Sequence, residues 1–84
     1  MAGTKKKVGK VTHFYSNLNV AVIKLAGELK KGDSISIEGA TTNLTQKADS
    51  MQIDRKNIET AKKGQEIGMK VADRVRDGDV VYRL

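Results

Sequence analysis

Short runs that alternate between apolar and polar residues follow one another along almost the whole chain. Such alternation places every second side chain on one face of a β-strand. Glycines and short polar stretches separate the runs. The pattern predicts six or seven strands, of which six are clear: 8–15, 20–25, 34–39, 44–53, 65–71 and 80–84. No run has the length and period of an amphipathic helix, and only residues 57–61 are expected to form a single helical turn.

Many short strands with glycine turns between them are typical of a small barrel or sandwich. In a chain of 84 residues, closure removes the exposed strand edges that an open sheet would carry. We therefore expect an all-β fold: a small closed antiparallel β-barrel of six to seven strands, formed by residues 8–84. Residues 1–7 are small, polar and rich in lysine, and they are expected to form a disordered basic arm.

The alternation also predicts which side chains face the core. Leu29 is expected to be a single apolar anchor within a charged turn, and one of Phe14 and Tyr15 is expected to pack inside. The alternation is imperfect at 48–50, where a β-bulge is expected. The other side chains predicted to point inward are Ala21, Ile23, Leu25, Ile35, Ile37, Ile67, Met69 and Val71.

One local phrase occurs three times, at 30–35, 62–67 and 76–81. Each copy has basic or acidic residues, then a glycine, then the start of a strand. Glycine adopts the positive φ that a tight turn of this kind requires, and the charged residues keep the turn in water. The unequal spacing of the copies argues against a repeat array. Asp33, Asp77 and Asp79 lie in these phrases, so we interpret them as turn residues.

The chain has a formal net charge of +6, but the excess is concentrated at one end. Residues 1–10 hold four lysines and no acidic residue, whereas the rest of the chain holds 12 basic and 10 acidic side chains. A basic segment is a common electrostatic site for nucleic acid. Aromatic residues that could stack on bases are few, so such binding would be mainly electrostatic. The candidate nucleic-acid-binding residues are Lys5, Lys6, Lys7, Lys10, Arg55, Lys56, Lys62 and Lys63, with Arg74 and Arg76 as further members.

Several classes of chemistry lack the residues that they need. There is no cysteine and one histidine, His13, so neither a disulfide framework nor a cysteine or histidine metal cluster is expected. Gly9 and Lys10 are followed by Val11 where a phosphate loop needs serine or threonine, so the protein is not expected to bind a nucleotide by itself. No apolar run is long enough to span a bilayer. We expect a cytoplasmic protein that is not an enzyme and has no cofactor.

The three phrases, in their order along the chain, resemble the domain-two β-barrel of the elongation factor Tu family. The stretches that carry the resemblance are 25–37, 61–69 and 75–81, and the match extends over about residues 8–84. The chain is also similar to the small barrel appended to some peptidase-like proteins. Residues 16–19 stand where the elongation factor family has a glycine-rich loop, so no binding residue is carried over from it.

The resemblance implies a free-standing copy of the translation-factor barrel. With the basic arm, it leads us to expect a non-catalytic binding module that associates with ribosomal RNA or tRNA. The alternative is a protein–protein interaction module that docks on an enzyme or a complex. The nearly neutral charge of the predicted barrel favours this alternative.

Overall fold

Ten β-strands and no helix make up the described part of the chain, which confirms the all-β prediction. The structure is a computed structural model that describes residues 5–54 and 56–84. The strands are β1 Lys6–Tyr15, β2 Val20–Leu25, β3 Leu29–Lys30, β4 Ser34–Glu38, β5 Asn43–Lys47, β6 Met51–Ile53, β7 Lys56–Ile58, β8 Thr60–Ala61, β9 Glu66–Lys70 and β10 Val80–Arg83.

The strands form one curled antiparallel sheet and a separate ribbon. The sheet has eight strands in the order β5-β4-β10-β1-β2-β9-β6-β7, and β3 pairs with β8. In the described residues β5 and β7 are the two edges of the sheet, and no ladder of backbone hydrogen bonds joins them. The predicted closed barrel is therefore wrong: the sheet is a half-barrel with two open edges.

A side chain, rather than a backbone ladder, ties one sheet edge to the strand it curls towards. Gln46 of β5 donates a hydrogen bond from Nε2 to the carbonyl oxygen of Lys70 at 3.1 Å, and its Oε1 accepts the N–H of Ala72 at 2.8 Å. The ribbon adds apolar contacts, since Leu29 and Ala61 are both fully buried. The predicted barrel would be held closed by a last pair of hydrogen-bonded strands. In the structure, the side-chain hydrogen bonds of Gln46 and the packing of the ribbon hold the curled sheet together instead.

Two β-bulges in β1 help to explain why the sheet curls. The pairing of β1 with β10 skips Val8, and the pairing with β2 skips Thr12. An extra residue on one strand bends that strand and increases its local twist. Because β1 lies in the middle of the sheet, a bend there turns the two halves of the sheet towards each other.

The core confirms the inward-facing residues that the alternation predicts. Every one of these residues is buried, as is the anchor Leu29. Phe14 is partly buried against the core, whereas Tyr15 is 45% exposed. The largest buried side chains also include Met51, Val8, Val11, Val75 and Val81.

Three local predictions differ from the structure. β1 begins at Lys6, not at Val8, because Lys6 and Lys7 pair with the last strand; residues 1–4 of the predicted arm lie outside the described residues. The helical turn at 57–61 is wrong, since this segment contributes to β7 and β8. The predicted strand 44–53 is two strands, β5 and β6. Ala48 between them exchanges backbone hydrogen bonds with the turn at 32–33 and lies in the core.

The phrase that occurs three times folds into three copies of one turn, at 30–33, 62–65 and 76–79. In each, the first residue donates its N–H to the side chain of the fourth, at 2.8–2.9 Å, and accepts the N–H of the fourth on its carbonyl. The glycine in third place has φ of 91–94°, as a type II turn requires. The residue before each turn is buried. Asp33 and Asp79 are therefore turn residues, as predicted.

Candidate functional site

The lysines at the start of the chain do not form a free basic arm. The Lys5 ammonium donates a hydrogen bond to Glu38 at 2.6 Å and lies 5.3 Å from the centre of the Tyr82 ring. Lys6 and Lys7 are residues of β1, and their alternation places them on opposite faces of the sheet. Lys6 and Lys7 thus lie on two different faces of the sheet, and Lys5 is engaged in an ion pair.

Acidic residues interrupt the basic residues on the outer face of the sheet. Cross-strand partners share a face, and the register aligns Glu38, Val80, Lys10, Lys24 and Glu66 in one row across five strands. Lys24 lies next to Glu66, and Val80 separates Lys10 from Glu38 at the other end of the row. The row is therefore nearly neutral, unlike the continuous basic stripe that a phosphate backbone favours.

The other candidate residues lie in separate parts of the fold. Lys56 lies on the edge strand β7, and Lys62 and Lys63 lie in the turn between β8 and β9. Arg55 lies outside the described residues. The lysines in the turns keep those tight turns in water. Because the fold places the turns in different parts of the molecule, these lysines are dispersed.

The tip of the β1–β2 hairpin carries a cluster of outward-facing apolar and aromatic side chains. We name it the hairpin-tip surface, and it comprises His13, Tyr15, Leu18, Val20 and Val22. The register pairs His13 with Val22 and Tyr15 with Val20. Leu18 is 61% exposed in the connecting turn. The centres of the His13 and Tyr15 rings are 4.4 Å apart. Outward positions of a solvated sheet are normally polar, so the apolar and aromatic side chains at these positions depart from the usual pattern.

An open cleft adjoins the hairpin-tip surface. Its volume is about 480 Å³, and the residues that line it include His13, Ser16, Arg74, Arg76 and Asp77. Neither arginine has an ion-pair partner within the described residues. Since the lining contains two arginines and one aspartate, it carries a net positive charge. The hairpin-tip surface and the cleft share His13 and are continuous.

The sequence pattern gave His13 no functional role and did not reveal this surface. The bulge at Thr12 is the reason, because it shifts the phase of the alternation so that His13 and Tyr15 face outward and Phe14 inward. With the bulge at Thr12 placed correctly, the alternation would have put five residues of the hairpin, with their apolar side chains, on the outer face. Apolar side chains on a face that is normally polar would have indicated this surface.

The described residues contain no group of three or more His, Asp or Glu side chains that could hold a metal ion. Ser16 and His13 line the same cleft, but no hydrogen bond joins their side chains, and a serine nucleophile needs such a base. No helix in the described part of the chain could cross a membrane.

The ion pair between Lys5 and Glu38 predicts one feature of the pH dependence of stability. The Lys5 ammonium, and then the Ser36 hydroxyl at 2.8 Å, hold the pKa of the Glu38 carboxyl below its ordinary value. A lowered folded-state pKa stabilises the fold above the unfolded-state pKa, and this contribution is lost as the pH falls through the folded value. We expect Glu38→Gln to lower the melting temperature slightly at neutral pH and not at acidic pH.

Melting temperatures measured across a pH series would check this expectation, with Glu59→Gln as the control. Glu59 is exposed and has no ion pair among the described residues. Equal differences from wild type for the two variants at every pH would contradict the role of the ion pair.

The curated relatives that this chain resembles are named as a protease and as collagenases. The chain is 46% identical over 81 residues to an uncharacterised protease of Methanocaldococcus jannaschii, covering 95% of this chain and 20% of the relative. It is 40% identical over 82 residues to a collagenase of Porphyromonas gingivalis, covering 95% and 23%. The chain thus spans about a fifth of the length of these relatives. A comparison with the profiles of known protein families found no match.

Solved structures show the same fold in an isolated domain. The C-terminal domain of a protein described as a U32 peptidase from Geobacillus thermoleovorans superimposes with a TM-score of 0.87 and 16% identity, over 94% of this chain and 92% of that one. Its selenomethionine variant gives 0.85 over 90% and 96%.

These findings overturn the assignment to the elongation factor Tu family and the translation-related RNA-binding function that it implied. The relatives that match nearly the whole chain are named as a protease and a collagenase. The second resemblance, to a small barrel appended to peptidase-like proteins, agrees with them. The physical reason for the error is that the three matched phrases are type II turns opening into strands, which many antiparallel sheets need.

Proposed function

We propose that this chain is a non-catalytic domain of a peptidase-family protein and that it acts by binding. The observation that carries the proposal is the match of nearly the whole chain, at 40–46% identity, to about a fifth of proteins named as protease and collagenase. A segment of that size with its own core is typical of a domain that folds on its own within a larger protein. The proposal includes a cytoplasmic location, in line with the cysteine-free sequence.

The chemistry of the described residues supports a binding role rather than hydrolysis. A peptidase needs an activated nucleophile or a metal-bound water, together with groups that stabilise the oxyanion. The one histidine is paired with a tyrosine ring and not with a serine. We expect the purified 84-residue chain to release no peptides from gelatin, and hydrolysis that increases in proportion to the chain concentration would refute the non-catalytic role.

A segment exchange in the Porphyromonas gingivalis collagenase tests the module directly. Four proteins are compared for gelatin hydrolysis and thermal stability: the full-length collagenase, a form lacking the segment that matches this chain, a form with this chain in its place, and a form with a glycine–serine linker of equal length. We expect the deletion and the linker to lower hydrolysis or stability, and this chain to restore at least part of the loss.

The linker form is the control for spacing alone. If the linker restores as much as this chain does, the domain contributes nothing specific and the proposal fails. If the deletion changes neither hydrolysis nor stability, the proposal fails as well.

A further inference from the structure

We propose that the hairpin-tip surface and the adjoining arginine cleft form one binding site for an acidic peptide segment that also carries apolar side chains. The inference deepens the proposed function, on which it rests for the assumption that the domain acts by binding.

The contrast between two parts of the same outer face is the first argument. The row that contains Lys10 and Lys24 is charged, as expected for a solvated sheet. The next outward positions along the same hairpin are His13 paired with Val22, and Tyr15 paired with Val20. The face therefore changes from charged to apolar and aromatic within one hairpin. Tyr15 and Leu18 are exposed here, whereas Val20 and Val22 are half-buried. Accessible apolar side chains with a polar rim are typical of a contact surface.

A glycine beside this surface leaves a depression that can accept a side chain of a binding partner. Gly68 of β9 pairs with Val22, and a shallow depression beside it is lined by residues that include Leu18, Val20 and Lys70. Because Gly68 has no side chain, the apolar groups around it form a concave rather than a filled surface. Apolar side chains of a partner can pack against Leu18 and Val20 there, and Lys70 lies at the rim.

The cleft on the other side of His13 is suited to carboxylate groups. Arg74 and Arg76 are exposed, line the same cleft and have no ion-pair partner in the described residues. A guanidinium group binds a carboxylate through two parallel hydrogen bonds. Asp73, their neighbour, already accepts the backbone N–H of Arg74 at 2.7 Å. Two unpaired arginines beside an apolar surface favour a ligand that combines acidic and apolar side chains.

A protein segment fits these observations better than RNA or a second copy of this chain. Asp77 lines the cleft and would repel a continuous phosphate backbone, whereas a peptide can place its carboxylates on the arginines alone. In a symmetric dimer the same patch would face itself, so one cleft of net positive charge would approach another. The acidic partner must therefore be a different surface, such as another part of a peptidase-family protein.

Nuclear magnetic resonance titration of the 84-residue chain tests the site with a defined probe. The probe is an acetylated and amidated eight-residue peptide of alternating glutamate and leucine. Two matched peptides replace glutamate by glutamine or leucine by serine, and an eight-nucleotide oligouridine tests RNA. We expect saturable amide shifts confined to residues 13–22 and 68–77 with the first peptide, and much weaker binding of the other three ligands.

Two variants and one matched control locate the site. The double variant Arg74→Gln/Arg76→Gln is expected to weaken the binding of the peptide by about tenfold or more, because it removes charge-assisted hydrogen bonds. Leu18→Ala is expected to weaken binding through lost apolar contact. Lys62→Gln/Lys63→Gln removes the same amount of charge at the copy of the turn at 62–65, away from the cleft, and we expect less than about a twofold change.

Four outcomes would each overturn the site. They are amide shifts spread over all exposed lysines, an equal loss of affinity in the Lys62/Lys63 control, the absence of saturable binding, and preferential binding of the oligouridine. Failure here with a successful segment exchange would refute only the site. Peptide binding at the site with a failed exchange would refute only the peptidase context.

Discussion

Replacement of Leu29 by alanine is expected to lower the free energy of unfolding by about 3 kcal/mol, within the range for truncating a buried leucine. Leu29 is 0% exposed, although it lies in a strand of only two residues next to a charged turn. Its loss opens a cavity where the β3–β8 ribbon packs on the core, and the small ribbon has few other contacts with which to close it. A domain of this size has a total stability of only about 5–10 kcal/mol. Urea unfolding followed by circular dichroism measures the change.

Leu18→Ala is the matched control, because it makes the same chemical change at a residue that is 61% exposed. We expect the free energy of unfolding to change by no more than about 0.5 kcal/mol. Similar losses of unfolding free energy for Leu29→Ala and Leu18→Ala would mean that the ribbon does not close the core. Because Leu18→Ala leaves the fold intact, its effect on peptide binding can be interpreted as loss of contact.

Gly9→Ala is expected to destabilise the domain by about 2 kcal/mol, the usual cost of forcing a methyl group into a packed core. A Cβ at Gly9 would lie 2.7 Å from Cγ2 of Ile23 and 2.9 Å from the carbonyl oxygen of Lys24. The second atom belongs to the backbone of the neighbouring strand and cannot rotate away. Strands β1 and β2 must therefore move apart at the centre of the sheet. Thermal and urea unfolding measure the loss.

Gly27→Ala serves as the control for this change. A Cβ at Gly27 would meet its nearest neighbours, atoms of Val8, at 3.8 Å, which is an ordinary contact. We expect a change of less than about 0.5 kcal/mol. If Gly9→Ala proves as stable as Gly27→Ala, the close approach of β1 to β2 is not a constraint on this position.

Arg74 and Arg76 were already among the nucleic-acid candidates, but the sequence did not show that they lie beside the hairpin-tip surface. The members of the candidate site come from the β1–β2 hairpin, from Gly68 and from the segment that holds Arg74 and Arg76, which is more than 50 residues from His13. No local pattern joins residues so far apart. The lysine-rich phrases were conspicuous in the sequence because they are local, yet they mark turns and are distributed around the sheet.

The sequence by itself determined the fold class, the turn residues and most of the core. Strand alternation and the glycine at positive φ depend on neighbouring residues only, so Ile23, Ile35 and Met69 could be placed inward and Asp33 and Asp79 in turns without any partner strand. The tertiary structure decided how far the sheet closes and which side of β1 faces outward. A bulge exists only relative to a paired strand, and the extra residue Thr12 reverses the facing of His13 and Tyr15. Because closure likewise depends on how distant edges meet, local periodicity could not distinguish a half-barrel from a closed barrel.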